Sequence, residues 1–260
     1  MSDNIATLER SSQPQGAQIS RPKPWEKTVP LAKVAPFLYW PGWVLFQTAI
    51  FQCLHVREIR KPGSPPAGGY ILSCTHLSHL EPFCASLRLR QRIHWVTRKE
   101  FFVGGLVSWL LRSLDAFSLN RQGRPIVALR TAIERARDGR VIGICPEGGV
   151  TKGLESMCRG GKIKRGVCLI AAAAQKPIVP CVMLGTDKLN CVPPWIPFRR
   201  ASLWIAFGEP IMPSPLVKGP AAAAMRRAQR AELATKVEQA TAKLYQELLR
   251  EYQLEDSAFP

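Results

Sequence analysis

The chain has 260 residues, 46% hydrophobic and 21% charged, a composition that fits a folded protein with one well-buried core and excludes a disordered or low-complexity chain. Its formal net charge of +17 far exceeds the charge of about 2–8 that suffices to keep a small domain soluble. A bias of that size calls for an anionic partner: nucleic acid, an acidic membrane surface, a phosphorylated substrate or an acidic carrier protein.

Residues 1–24 are polar and Pro-bearing, and are expected to form a disordered tail without the apolar core of a secretory signal. A membrane-associated helical segment is expected over residues 25–60. Within it, residues 34–56 contain no Asp, Glu, Lys or Arg. Pro41-Gly42 should break that stretch, and the remaining 43–56 would reach only about 21 Å at 1.5 Å per residue, against a hydrocarbon thickness of about 30 Å. Aromatic residues cluster in it (Phe37, Tyr39, Trp40, Trp43, Phe46, Phe51), and Lys33, Arg57, Arg60 and Lys61 flank it. This mixture suits a helix or helical hairpin lying in the membrane interface. A core helix and a single spanning helix are the alternatives.

A turn-rich linker, residues 60–69, leads into an α/β domain expected over residues 61–218. Short apolar runs predict strands at 70–74, 93–97, 141–145, 178–184 and 202–207. Helices are predicted at about 82–91, 104–114, 125–138 and 165–175. Their alternation predicts an α/β fold: a layered mixed, partly parallel sheet flanked by helices. Residues 219–260 are predicted to hold a long C-terminal helix whose stripe of Leu233, Val237, Ala240, Leu244, Leu248 and Tyr252 packs on the domain. Eight cysteines occur with no CxxC, and Cys74, Cys145, Cys168 and Cys181 sit in apolar runs. They read as buried thiols of a reduced, cytosol-facing protein.

Chemistry is expected where strands run into helices. In Cys74-Thr75-His76-Leu77-Ser78-His79-Leu80-Glu81-Pro82, a strand ends near Cys74 and Pro82 suits the first turn of a helix. His76, in the loop between, can take a proton from a hydroxyl at neutral pH. Glu81 can accept the other ring N–H and orient the imidazole, as in the base-and-orienter half of a catalytic triad. His76, His79 and Glu81 could also be read as metal ligands, but no further His or Cys lies nearby at helical spacing, so no metal is expected. Arg121 closes a short strand after Asp115-Ala116-Phe117-Ser118-Leu119-Asn120, where an arginine can hold a phosphate or simply sit on the surface. Pro146-Glu147-Gly148-Gly149 gives a carboxylate and a tight turn with exposed N–H groups. Pro180, in Ile178-Val179-Pro180, suggests an edge strand or a bulge.

In their order and spacing these blocks resemble the phospholipid/glycerol acyltransferase family over about residues 70 to 210. His76-x4-Glu81 comes first, then Asn120-Arg121, Pro146-Glu147-Gly148 and Ile178-Val179-Pro180. Thr97-Arg98-Lys99-Glu100-Phe101 and Lys164-Arg165-Gly166 also match. Two departures stand out. Glu81 replaces the usual Asp, and Gly149-Val150 replaces a Thr-Arg pair, for which Lys152 or Lys164 could substitute near the acceptor.

The resemblance implies an O-acyltransferase that moves a fatty acyl group from acyl-CoA or acyl-carrier protein to a lysophospholipid hydroxyl, with 1-acyl-sn-glycerol 3-phosphate as acceptor and phosphatidate as product. Glycerol 3-phosphate and other lysolipids are alternative acceptors. His76 and Glu81 would be catalytic; Arg121, Glu147, Gly148, Lys152 and Lys164 would bind substrate. No cofactor beyond the acyl donor and no nucleic acid is implied. The partners would be an anionic membrane surface, the donor and the lysophospholipid acceptor, and the protein would associate with the cytoplasmic face of a membrane. The alternative in another class is a non-catalytic basic protein that binds nucleic acid or membrane, but no recognition helix, zinc module or aromatic RNA-binding signature is present in the sequence. A serine or cysteine hydrolase is disfavoured because no Gly-x-Ser-x-Gly occurs.

Overall fold

Residues 178–184 are apolar or proline at every position and buried at every position, as expected of a strand covered on both faces. In the computed structural model this segment lies inside a layered sheet. The structure describes residues 41, 44, 54–78, 81–89, 91–98, 116–119, 125–189, 201–217, 219 and 222–259. In chain order these residues form β1 (Leu54–Arg60), β2 (Ile71–Cys74), α1 (Glu81–Leu89), β3 (Ile93–Arg98), β4 (Phe117–Leu119), α2 (Pro125–Arg137), β5 (Val141–Ile144), α3 (Gly166–Ala174), β6 (Ile178–Leu184), β7 (Ala201–Phe207) and α4 (Ala223–Glu251).

Among the described residues the seven strands make one sheet in the order β1-β7-β6-β2-β5-β3-β4. All neighbours run parallel except β6 and β7. Side chains alternate between the faces, as the two-residue period of a strand requires. Leu72 and Cys74 of β2, with Val179, Cys181 and Met183 of β6, pack against Cys84, Ala85 and Leu89 of α1. Ile71, Ile142 and Ile178 face the other way, onto Ala132 and Ala136 of α2, Val167 and Ala171 of α3, and Leu233 and Val237 of α4. Further along α4, Leu244, Tyr245 and Leu248 cover Val182, Leu184 and Ala206. The layered, partly parallel α/β arrangement and the long packed C-terminal helix agree with the sequence reading.

Two expectations are corrected. Leu54–Arg60, read as the end of a helical membrane segment over residues 25–60, are β1, which pairs with β7 along its whole length. The sheet therefore begins before residue 61. A short apolar run is ambiguous between helix and strand, and here a partner strand decided it: Val56 packs on the α1 face and Ile59 on the α4 face. Pro180 lies in an interior strand, not an edge. It sits where the β6–β7 register slips by one residue, between Cys181↔Phe207 and Ile178↔Ile211, so the bulge alternative holds. The proline's missing N–H coincides with this break in the ladder. Residues 25–53 of the expected membrane segment (apart from Pro41 and Val44), the tail 1–24 and the expected helix 104–114 lie outside the described residues.

Leu248 is fully buried on the face of α4 that covers the sheet. Leu248→Ala should lower stability by about 2–5 kcal/mol, read as a shifted midpoint in urea unfolding.

Candidate active site

Strands β2, β5, β6 and β3 run parallel, so their C-terminal ends meet on one rim of the sheet, with β2 between β5 and β6. This is where open α/β sheets place their sites. The loop leaving β2 is held to β6 through Thr75, which is fully buried. Its N–H donates to the Cys181 carbonyl at 3.1 Å, and its Oγ1 accepts from the Met183 N–H at 3.1 Å. His76 follows and is clamped by its own backbone. Its N–H donates to Glu147 Oε2 at 2.7 Å, and its carbonyl accepts from the Thr151 N–H at 3.2 Å.

The ring of His76 meets the carboxylate of Glu81, with Nδ1 3.2 Å from Oε2. The Glu81 side chain is completely buried, while 16% of the His76 side chain is exposed. A carboxylate out of water is costly unless donors surround it. Here Oε1 accepts from the Leu77 N–H at 3.1 Å, the Ser78 N–H at 2.5 Å and the Thr186 hydroxyl at 2.6 Å. Three donors on one oxygen fix the carboxylate and leave the other oxygen toward the imidazole. Because Glu81 opens α1, it also lies at the positive end of the helix. Its reach back to Ser78 has the form of a capping box. The tautomer that satisfies this pairing carries its proton on Nδ1 and its lone pair on Nε2, the arrangement of a general base. The sequence placed His76 and Glu81 together, and the fold does so through a hydrogen bond.

Glu147 follows Pro146 in the turn after β5 and is 8% exposed. Beyond the bond to the His76 N–H, its Oε1 accepts from the Met157 N–H at 2.8 Å and the Ser156 hydroxyl at 3.2 Å. Both oxygens are thus engaged by protein donors, and the side chain ties the His76 loop to the 153–159 turns. Gly148 has φ +80, and a Cβ there would come within 2.0 Å of Lys164 Nζ. The lysine therefore lies directly over the turn, close to the rim, while Lys152 is exposed at the start of the Gly153–Glu155 turn. Lys164 is placed by its own N–H on the Pro146 carbonyl at 2.9 Å, and by Glu238 of α4, which accepts from the Ile163 N–H at 3.0 Å and from Lys162 Nζ at 2.9 Å. Arg121 and His79 lie outside the described residues.

Three contributors escaped the sequence reading: Thr186, Ser156 and Glu238. Thr186 is fully buried and reaches Glu81 across 105 positions of sequence. The available cue was its place after Gly185 (φ +87), at the C-terminal end of a buried strand. The thiols near the site are poor nucleophiles. Burial, with the neighbouring Glu81 charge adding to it, pushes the Cys84 thiol up to about 12. Burial raises Cys74 and Cys145 well above the ordinary thiol range. This supports the judgement against a cysteine hydrolase.

Comparison with known proteins matches residues 55–184 to the family described as Acyltransferase. The 1-acyl-sn-glycerol-3-phosphate acyltransferase of Bacillus subtilis (strain 168) is 26% identical over 157 residues, which cover 60% of this chain and 73% of that protein. The crystal structure of the 1-acyl-sn-glycerophosphate acyltransferase from Thermotoga maritima aligns with a TM-score of 0.49 at 20% identity, covering 86% of this chain and 85% of that one.

Glu147→Ala would leave two backbone N–H groups and a buried hydroxyl without their acceptor. Each orphaned buried donor costs about 1–3 kcal/mol, so the variant should lose at least about 2 kcal/mol of stability in denaturant unfolding. An unchanged midpoint would contradict a clamping role for this carboxylate.

Proposed function

Since the chain belongs to the Acyltransferase family, with its matched region spanning residues 55–184, we propose that His76 is the general base of acyl transfer to a lysophospholipid hydroxyl. The observation that carries this reading is the His76–Glu81 hydrogen bond, backed by three donors on the far carboxylate oxygen. The protein is an acyltransferase; the donor is acyl-CoA or acyl-carrier protein. As the acceptor oxygen attacks the thioester carbonyl, His76 Nε2 takes its proton, and the imidazolium is stabilised by Glu81. An ester C–O bond forms, the C–S bond breaks, and the proton passes from His76 to the departing thiolate. The thioester supplies the driving force, so no cofactor is required.

The acceptor is proposed to be 1-acyl-sn-glycerol 3-phosphate, giving phosphatidate for phospholipid synthesis. The printed activity of the Bacillus subtilis relative supports this. Arg121 and the lysines Lys152 and Lys164 would hold the acceptor phosphate, with Gly148 leaving room for Lys164 to lie over the turn. Glu147 is better read as a residue that positions His76 than as a direct ligand of the head group, because its oxygens already carry three protein donors. Val150 stands where the resemblance would place an arginine, which favours testing glycerol 3-phosphate and other lysolipids beside the proposed acceptor.

The setting is proposed to be the cytoplasmic face of an anionic membrane. Strand β1 runs opposite to β2, so its first residue, Leu54, lies at the same end of the sheet as His76. The apolar segment 34–53 therefore joins the fold at the catalytic rim. The same rim exposes Leu154 (84% accessible), Val150, Ile126 and Val127. Among the described residues no helix is long and apolar enough to cross a membrane. Exposed apolar residues beside lysines suit contact with an acidic interface.

His76→Ala should cut turnover with a labelled acyl-CoA by roughly 10²–10⁴, the range general acid–base catalysis supplies, in a protein that stays folded with a lowered thermal midpoint, because the buried Glu81 loses one of its four partners. Near-wild-type turnover in that variant would end the proposal. Thr186→Val removes one donor from Glu81 and should lower kcat by about tenfold, on the roughly 1–1.5 kcal/mol worth of such a bond, with the acceptor KM little changed. An acceptor screen with purified protein should rank 1-acyl-sn-glycerol 3-phosphate first; preference for another hydroxyl acceptor would reassign the substrate and leave His76 in place.

A further inference from the structure

Residues 252–259 fold back after α4 and reach the turns that hold Glu147. The reversal is set locally. Gln253 takes φ +50, the Leu254 N–H donates to the Leu249 carbonyl at 2.8 Å, and the Gln253 N–H donates to the Arg250 carbonyl at 3.3 Å. This is the pattern that closes a helix with a left-handed residue, and Leu254 packs in one cluster with Leu249, as that pattern favours. The Tyr252 hydroxyl donates to the Glu58 carbonyl of β1 at 3.3 Å. The chain then makes a short turn, Asp256–Ala258, and buries Phe259, whose ring meets Trp204 of β7 edge-on with 5.8 Å between centres.

Arg159 joins this segment to the site. Its Nη2 donates to the Asp256 carbonyl at 2.9 Å and to the Phe259 carbonyl at 3.1 Å, and lies 3.3 Å from Asp256 Oδ1. The same carboxylate oxygen accepts from the Tyr245 hydroxyl of α4. That bond, with the one from Arg159 adding to it, holds the Asp256 carboxyl below the ordinary aspartate range, so the ion pair is formed at neutral pH. Arg159 closes the turn Met157–Arg159. The Met157 N–H, with the Ser156 hydroxyl before it, is what Glu147 Oε1 accepts from. The turn is tight: the Gly161 N–H donates to the Ser156 carbonyl at 2.9 Å, and a Cβ on Gly161 would come within 2.0 Å of the Glu155 carbonyl oxygen. Glu147 Oε2 in turn holds the His76 N–H. Hydrogen bonds thus run from Asp256 through Arg159, its turn and Glu147 to the backbone of His76. A second route is apolar. Phe259, Cys158 and Leu77 belong to one buried cluster, and the Leu77 N–H donates to Glu81.

A segment that turns back after a helix can merely cover apolar surface, and an ion pair to a carboxylate as exposed as Asp256 (55% of its side chain) adds little to stability. Arg159 does more than pair with that carboxylate, however. Its guanidinium also takes two main-chain carbonyls, which fixes the backbone of the segment against the turn. Both acids that set His76 therefore receive a donor from a residue bonded to the segment or packed with it: Glu147 from the turn that Arg159 closes, and Glu81 from Leu77. Supporting contacts of this kind decide whether a reacting group is held closely enough to act. On the reading of His76 as the general base, we propose that residues 252–259 form a strap that positions its imidazole. Arg159 and Asp256 are positioning residues that act through the Glu147 clamp.

The test follows variants of the full chain in two readouts, turnover and amide hydrogen exchange, well below each thermal midpoint. Arg159→Met keeps an apolar stem and removes the guanidinium. It should lower kcat about tenfold with both KM values little changed, because a small misplacement of a reacting group costs rate. Exchange should rise in the peptide covering residues 75–81 and stay as in wild type over α2. Arg159→Lys keeps the charge and loses the fork, and should fall between. Asp256→Ala, at an exposed side chain, should move kcat and exchange in the same direction by a smaller amount, and decides the matter if Arg159→Met does not fold. Leu233→Ala, in the cluster that α4 makes with α3, lowers stability away from the strap and should keep the wild-type kcat and 75–81 exchange. His76→Ala, assayed alongside, separates the two readings: if it retains turnover, the general-base reading fails and exchange alone decides the strap. Unchanged exchange over 75–81 in both Arg159→Met and Asp256→Ala would overturn the strap. So would wild-type kcat in both beside an inactive His76→Ala, or equal losses in Leu233→Ala.

Discussion

A carboxylate with no access to water has to be surrounded by donors, and the rim of this sheet is built around that requirement at Glu81. Its four partners come from two places: the loop after β2, which gives the Leu77 and Ser78 N–H groups and the imidazole of His76, and the turn after β6, which gives the Thr186 hydroxyl. None of these could move far without leaving a buried charge undersatisfied, which costs more than the loss of an ordinary hydrogen bond. The His76 ring is thereby fixed by a carboxylate that is itself completely buried. The longer arm of Glu, in place of the Asp more usual in the resembling family, reaches both the backbone N–H groups and the imidazole.

Glu147 performs the complementary task on the main chain. It grips the His76 N–H with one oxygen and the Ser156–Met157 turn with the other. One acid orients the ring and the other holds the backbone from which the ring projects. The consequence extends to α4, where Glu238 ties down the loop carrying Lys164. A helix far along the chain thus helps set the basic side of the rim, and its long apolar face is the anchor that makes this possible. Arrangements of this kind, in which supporting hydrogen bonds lock the reacting groups, are what hold a site to within fractions of an ångström.

The parallel strands also give the molecule two ends with different characters. One end gathers the strand termini, the His76–Glu81 pair, the exposed apolar residues and the entry of the apolar segment at Leu54. The other gathers Arg92, Arg135 and Arg140 beside Gly68 and Gly139 at the N-terminal ends of β3 and β5.

Much of this was legible in the residue order. Apolar runs marked five of the strands because each fills a two-sided core, and the strip of Leu233, Val237, Leu244 and Leu248 marked α4 because one helical face has to be buried. The His76–Glu81 pairing was readable because both residues belong to a single strand-to-helix loop, where local spacing dictates contact. Tertiary structure decided what local pattern leaves open. It turned Leu54–Arg60 into strand, because β7 was there to pair with them. It brought Thr186 to Glu81 across 105 positions, and bound Glu147 to the backbone of His76 across 71. Hydrogen bonds between distant segments leave no periodicity in a sequence; they exist only once parallel strands have brought their C-terminal ends to the same rim.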